Sequence, residues 1–221
     1  MNDEQDARLD EMARQLQERF LAYAPSQRRL LVQIERELAH GRPITSEQVD
    51  QRIAALGLEQ DAAHQFLREL TERDADDRIF GAIGLSLEDH PHRVKVEGVS
   101  LSAWCALDTL FLPALLQQMA TIASPSPMTH TMIRLRVSPE RVEEVDPADA
   151  VISIVLVDPS RERMASVEAI WNAFCQHVYF LTTREEAKRW AVGREDIAIL
   201  TVDEGFALGR RVWSDAHVDI A

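Results

Sequence analysis

The chain has 221 residues, 46% hydrophobic and 28% charged, and its 37 acidic against 24 basic side chains give a formal net charge of −13. That composition excludes a disordered or fibrous protein and leaves enough core for one sizeable domain or two small ones. Two cysteines, Cys105 and Cys175, are too few for a disulfide framework or a four-thiolate zinc site, and the acidic balance argues against reliance on phosphate attraction to nucleic acid or to an anionic membrane.

The first residues, Met1-Asn2-Asp3-Glu4-Gln5-Asp6, are acidic and polar, unlike a secretory leader. From Ala7 to about Tyr23 the spacing of Leu9, Met12, Leu16 and Phe20 predicts an amphipathic helix, and Leu30, Leu31, Ile34 and Leu38 predict a second that stops at Gly41-Arg42-Pro43. Thr45-Ser46-Glu47-Gln48 is a capping-box sequence opening a short helix to Leu56, and Asp61 to Glu72 forms a third with Ala62, Phe66 and Leu70 inward. After the acidic turn Asp74 to Asp77, Ile79–Leu87 and Arg93–Val99 read as a β-hairpin around Asp89-His90-Pro91-His92, with both histidines exposed. Helix, turn, helix, hairpin is the winged-helix order. Residues 1–80 carry 11 arginines and no lysine against 17 carboxylates, a net −6, so this module is expected to be scaffold rather than a DNA reader.

The second half alternates differently. Leu101 to about Ile122 is expected to be a helix containing Pro113, and its apolar run is too short for the roughly 20 residues that span a bilayer. Thr131–Val137, Ala150–Val157, Cys175–Thr182 and Asp196–Val202 are strand candidates, with Met164–Ala173 and a Thr183-capped Thr183–Val192 as helices. Pro125, Pro127, Pro139, Pro147 and Pro159 punctuate the connections. The expected fold is α+β: a helical extension over 1–24, a winged-helix-like region over 25–99, and over 100–221 a core of about four strands with packed helices.

On a helix, Leu101, Cys105, Asp108 and Leu112 form one stripe among apolar neighbours, which puts an acid and a thiol together in a buried setting. Desolvation raises such a carboxyl toward proton-donor range; the bland alternatives are an Asp108 bonded to a backbone amide and a Cys105 that only packs. Cys175, at the start of a strand, shares a face with His177 and Tyr179 and can turn toward Cys105. His177 is a candidate base, although a lone strand histidine more often packs. Zinc is poorly supported, with no Cys-x-x-Cys or His-x-x-x-His, and Gly81-Ala82-Ile83-Gly84 sits in a strand and lacks a phosphate-loop pattern. Two thiols and one carboxylate suit a soft, thiophilic ion with a proton source beside it.

Trp104-Cys105-Ala106-Leu107-Asp108-Thr109-Leu110, followed by Leu112-Pro113-Ala114-Leu115, closely resembles the signature of the bacterial organomercurial (alkylmercury) lyases. The resemblance runs in order through Glu37-Leu38-Ala39-His40-Gly41-Arg42-Pro43, Val137-Ser138-Pro139, Phe174-Cys175-Gln176-His177-Val178-Tyr179-Phe180 and Glu204-Gly205-Phe206-Ala207-Leu208-Gly209, over about residues 28–213. It implies protonolysis of a carbon–mercury bond, with Cys105, Asp108 and Cys175 as the catalytic and mercury-binding residues, and Trp104, Phe174 and Tyr179 around the organic group. It implies no required cofactor, Hg(II) as bound product, and release to external low-molecular-weight thiols or a mercuric reductase. It also implies a mixed-sheet catalytic core. The acidic start and the net charge give the expectation of a cytoplasmic protein without nucleic-acid or membrane partners, as monomer or homodimer. The weighed alternatives are a relative that binds or senses thiophilic metal without turnover and a winged-helix regulator. The further cysteine that many relatives carry after the first catalytic helix is absent from Ser124–Met132, and Gln176 stands where some have another cysteine.

Overall fold

Heptad-like apolar spacing and good caps build the N-terminal helices largely as expected. A computed structural model describes residues 3–20, 23–158 and 164–214; Leu21, Ala22 and Pro159 fall outside the described residues. Helix α1 (Asp3–Phe20) buries Leu9, Met12, Ala13 and Leu16, with acids in its first turn and Arg19 in its last, the arrangement that complements the helix dipole. Helix α2 (Pro25–Leu38) starts on proline, which costs nothing at that position. Helix α3 (Ser46–Ala55) carries the expected capping box: the Thr45 N–H donates to Gln48 Oε1 at 2.9 Å and the Gln48 N–H to Thr45 Oγ1 at 3.3 Å. Helix α4 (Gln60–Leu70) is capped instead by Glu59, whose carboxylate accepts the Asp61 and Ala62 N–H groups.

The following strands are β1 (Thr71–Arg73), β2 (Ile79–Ala82), β3 (Leu85–Ser86), β4 (His92–Val96) and β5 (Val99–Ala103). After helix α5 (Ala106–Leu116) come β6 (Ala120–Pro125), β7 (Met132–Val137) and β8 (Val142–Asp146). All eight join one sheet in the order β1-β2-β3-β5-β4-β6-β7-β8, every pairing antiparallel. A second antiparallel sheet, β10-β9-β11, is made of β9 (Val151–Val155), β10 (Phe180–Leu181) and β11 (Ile197–Thr201). Helices α6 (Val167–Ala173), α7 (Arg184–Trp190) and α8 (Val202–Val212) complete the described chain, with a 3₁₀ turn at Cys175–His177. The fold is α+β, as expected, but the sheets are wholly antiparallel rather than mixed, because the strands arrive as hairpins and meanders that need no crossover.

The expected hairpin of 79–87 with 93–99 does not form. β2 turns into β3 through Ile83-Gly84, and β4 into β5 through Glu97-Gly98, both pairs at positive φ as tight hairpin turns require. Gly81–Gly84 is therefore half strand, half turn. The expected helix over 101–122 is shorter: Leu101–Ala103 belong to β5, α5 ends where Gln117 turns left-handed, and β6 follows. A continuous apolar run has no periodicity to separate buried strand from buried helix. The 175–182 strand shrinks to β10 because the 3₁₀ turn occupies Cys175–His177. The 99/100 boundary falls inside β5, and one apolar core runs through α1, α2, α5, α8 and both sheets.

Helix α5 is the centre of this core; all eleven of its residues are buried. It packs on α2, on α8, and on β4, β5, β6 and β9. Two glycines of α8 permit that approach: a Cβ on Gly209 would lie 3.1 Å from Phe111 Cβ, and one on Gly205 would lie 2.9 Å from an Ile152 methyl and 3.0 Å from one of Leu110. The Glu204–Gly209 motif is thus a packing motif that holds α5, and its capping box (Thr201 N–H to Glu204 Oε2 at 2.6 Å, Glu204 N–H to Thr201 Oγ1 at 3.2 Å) starts the helix.

Candidate active site

Cys105 and Asp108 come together, but not by the helical stripe. Cys105 is extended (φ −143°, ψ 172°) and stands as the N-cap of α5, with Asp108 three residues on, so the pair forms a capping box with sulfur in place of the usual hydroxyl. The Cys105 N–H donates to Asp108 Oδ2 at 2.7 Å. The cap geometry therefore fixes carboxyl against thiol and also satisfies backbone donors at a buried helix start. Gly84 makes room for the carboxyl: at φ +85°, a Cβ there would lie 2.3 Å from Asp108 Cγ. Its carbonyl accepts the Trp104 N–H at 2.8 Å, which pins the strand end before Cys105.

Cys175 reaches the same place from the other segment. It follows α6 on the 3₁₀ turn, and the Ala106 N–H donates to the Val178 carbonyl at 3.1 Å, stitching the two cysteine segments together. Cys105 Sγ, Cys175 Sγ and an Asp108 oxygen lie within 4.8 Å of one another, and all three residues are buried. Both thiols are free.

Burial dominates the electrostatics. It pushes the Asp108 carboxyl up from 3.8 to about 7, against the opposing hydrogen bonds with Cys105 and the field of His90. Burial also lifts the Cys105 thiol well above its ordinary range, helped by its hydrogen bond to Cys175 and the Asp108 charge; the Asp108 N–H acts the other way. For Cys175, the hydrogen bond from Cys105 favours the thiolate, but burial and the charges of Asp108 and Glu72 outweigh it and raise this thiol too. At rest, then, the site holds two protonated thiols beside an acid that exchanges its proton near neutrality. A soft metal that replaces the thiol protons, with a carboxylate to receive them, is the chemistry this donor set accommodates.

An apolar cavity of ≈ 90 Å³ opens onto Asp108 and Cys175 and is lined also by Trp104, Phe174, Leu107 and Phe111. Leu16 and Phe20 of α1 and Tyr23 close another side, and Phe20 meets Phe174 edge-on at 5.1 Å. Tyr179, expected in the pocket, lies outside this lining and packs on Trp190 and His92, since the 3₁₀ turn breaks the strand alternation that would have aimed it inward. His177 likewise lies outside this lining, and burial and the Arg194 charge hold its pKa below the ordinary value. The expected exposed turn at 90–92 is also corrected. His92 is 1% exposed, bonded to Ser124 Oγ at 2.7 Å, and burial pushes it down to about 3; His90 sits 3.6 Å from the Glu72 carboxylate. Sequence reasoning missed Gly84, Glu72 and His90. For Gly84 a glycine beside a bulky residue at a strand end was the available signal; Glu72 and His90 had none.

The alkylmercury lyase family model matches residues 85–214. An alkylmercury lyase of Staphylococcus epidermidis is 40% identical over 177 residues, covering 79% of this chain and 77% of that protein. One of Pseudomonas putida is 35% identical over 185 residues, covering 83% and 82%. The crystal structure of the mercury-bound form of MerB2 superposes with a TM-score of 0.75 at 22% identity, over 95% of this chain and 99% of that one, a likeness of fold. With relatives of that identity over most of their length and a family model that covers Cys105, Asp108 and Cys175, the chain belongs to the alkylmercury lyase family.

Proposed function

We propose that this protein cleaves the carbon–mercury bond of alkyl- and arylmercury compounds by protonolysis, releasing a hydrocarbon and holding Hg(II) on Cys105 and Cys175. The observation that carries the reading is the convergence of two buried thiols and a proton-exchanging carboxyl within 4.8 Å, at the edge of an apolar cavity. Mercury's softness favours sulfur, so a thiol that gives its proton to Asp108 forms a mercury–sulfur bond and displaces the original counter-ion. The second thiol binds as the carbon leaves. The carbon–mercury electron pair takes up a proton from Asp108 and becomes a carbon–hydrogen bond. Of the two thiol protons, one ends on the hydrocarbon and the other departs with the displaced anion, so charge and atoms balance.

Asp108 suits both halves because a pKa of about 7 makes it an acceptor and a donor near neutrality. Trp104 and Phe174 border the space for the organic group, and water is excluded from it by the apolar lining. Low-molecular-weight thiols exchange Hg(II) off the site, with a mercuric reductase as a downstream receiver; no resident cofactor is needed. Among the described residues no helix is long and apolar enough to cross a membrane, and free thiols fit the reducing cytoplasm. We read residues 25–99 as winged-helix-like scaffold, from the order α2, α3, α4 then hairpin strands and the net −6 of residues 1–80. Residues 1–24 are read as an extension whose Leu16, Phe20 and Tyr23 border the cavity, and 100–221 as the segment that carries the catalytic residues, packed in one core with what precedes it. The test is incubation with an arylmercurial and excess thiol: the free arene is the expected product, whereas mercury bound without arene would leave a binding or sensing protein.

A further inference from the structure

Outside the Cys105–Asp108–Cys175 cluster, one half-buried polar array joins the two segments that carry the cysteines. The Trp104 indole N–H donates to Glu72 Oε2 at 3.0 Å, and His90 Nε2 lies 3.6 Å from Glu72 Oε1. The His90 ring packs against Trp171, ring centres 5.5 Å apart. Trp104 immediately precedes Cys105, and Trp171 lies on α6, whose chain runs through Phe174 into Cys175. The array therefore runs Cys105–Trp104, Glu72, His90, Trp171 and on to Cys175, bridging segments about 70 residues apart in sequence by a route separate from the sulfurs.

The position is built for this carboxylate. Glu72 lies on β1 directly opposite Gly81 of β2, and a Cβ on Gly81 would stand 1.8 Å from Glu72 Oε2, so only glycine leaves room for it. Glu72 and His90 are 17% and 16% exposed, so their contacts are largely shielded from water. Burial opposes the charge on Glu72, and the polar groups of His90, Ser86 and Trp104 beside it outweigh that and lower its pKa. A half-buried acid with this many partners is costly as mere packing, because a leucine there would need none of them.

We propose that Glu72, with His90, is a positioning residue for the carbon–mercury chemistry: it holds Trp104 against the substrate cavity and ties the Cys175 segment to the Cys105 segment, so that the two sulfurs converge on one mercury. The proposal rests on the lyase reading above. Glu72 itself stands outside the thiol–carboxyl cluster and the cavity lining; beyond its charge, which raises the Cys175 thiol and which Glu72→Leu and Glu72→Gln remove alike, it acts through Trp104 and His90.

The experiment compares wild type, Glu72→Leu and Glu72→Gln in steady-state release of hydrocarbon from a methyl- and a phenylmercurial with excess thiol. Hg(II) titration, read by the mercury–thiolate charge-transfer band against a competing thiol, is run in parallel. Glu72→Leu is expected to lower kcat and Hg(II) affinity by about 10- to 100-fold, the scale seen when residues that orient metal ligands are lost, while KM changes far less. Glu72→Gln is expected to recover most of both, since its amide oxygen still accepts the indole N–H and its amide keeps a polar group beside the His90 ring. A purely structural role would lower thermal stability in Glu72→Leu and leave kcat and affinity of the folded fraction unchanged, and that result overturns the proposal. Should Glu72→Leu not fold, His90→Leu carries the test at the outer end of the array: a loss of at least about three-fold in kcat supports it, and wild-type kcat overturns it. If wild type itself releases no hydrocarbon, the lyase reading fails, and the titration alone then decides for or against Glu72.

Discussion

Asp108→Asn separates what the site does for the fold from what it does for chemistry. The amide oxygen still accepts the Cys105 N–H, so the capping box and α5 survive, but no proton can be exchanged. In wild type, burial raises the carboxyl from 3.8 to about 7, so above neutrality the folded protein carries a charge it would rather lose. The unfolded chain ionises at its ordinary value and binds fewer protons between those two values, so stability falls as pH rises through that window. About three pKa units at 1.36 kcal/mol each make the cost about 4 kcal/mol at pH 8. Removing the charge should therefore stabilise the protein toward that limit, raising Tm by about 8–16 °C for a chain of this size. At pH 4 the gain should almost vanish. Hydrocarbon release should fall by about 10²- to 10⁴-fold, the usual worth of a general acid–base. Denaturant unfolding at pH 4, 6 and 8, beside the release assay, checks both halves. A variant that is less stable than wild type at pH 8, or stabilised equally at all three pH values, refutes the reasoning.

Gly84→Ala combines a φ of +85° with a Cβ 2.3 Å from the Asp108 carboxyl; we expect about 1–3 kcal/mol of destabilisation from the backbone alone and a loss of activity larger than the lost fold explains, read by unfolding and kcat together. Glu35 of α2 is fully buried, both its carboxylate oxygens lack a partner, and burial, with the Asp108 charge second, lifts it well above 4.5. Glu35→Leu should raise stability at pH 7 by at least about 1 kcal/mol and flatten the decline with rising pH above 4.5, measured by denaturant titration across pH. At the acid end, His92 is held neutral down to about 3, so stability should fall as pH drops below 6.5; His92→Gln should blunt that fall. Phe20→Ala, at the α1 contact with Phe174, should weaken binding of apolar organomercurials, seen as a raised KM with kcat less affected.

Local signals in the sequence mark the four N-terminal helices and α7. The Thr45–Gln48 box and the Thr183 cap are satisfied within four residues, so they need no tertiary knowledge. Where burial is complete the signal disappears: residues 101–116 are buried throughout, so nothing in that tract marks where strand β5 gives way to helix α5, and the next break is the left-handed Gln117. Strand β8, Val142–Asp146, is half-exposed and rich in acids, as suits a sheet edge, and so lacks a hydrophobic pattern to read. Helix α8 was missed although Thr201–Glu204 announces it. The Cys105–Asp108 pairing was anticipated for the wrong reason, since an N-cap and its third residue meet as closely as two positions on one helical face. Contacts between distant segments, such as Glu72 with Trp104 or Gly84 with Asp108, follow from the sheet order and could not be read from either residue alone.

The central claim is that a proton from the protein, in exchange with solvent, replaces mercury on carbon. Turnover of a phenylmercurial in D₂O with excess thiol, followed by mass analysis of the benzene, tests it directly. The account predicts benzene carrying one deuterium, formed by wild type and abolished in Cys105→Ser and Cys175→Ser; unlabelled benzene, or Hg(II) binding without benzene, would contradict it.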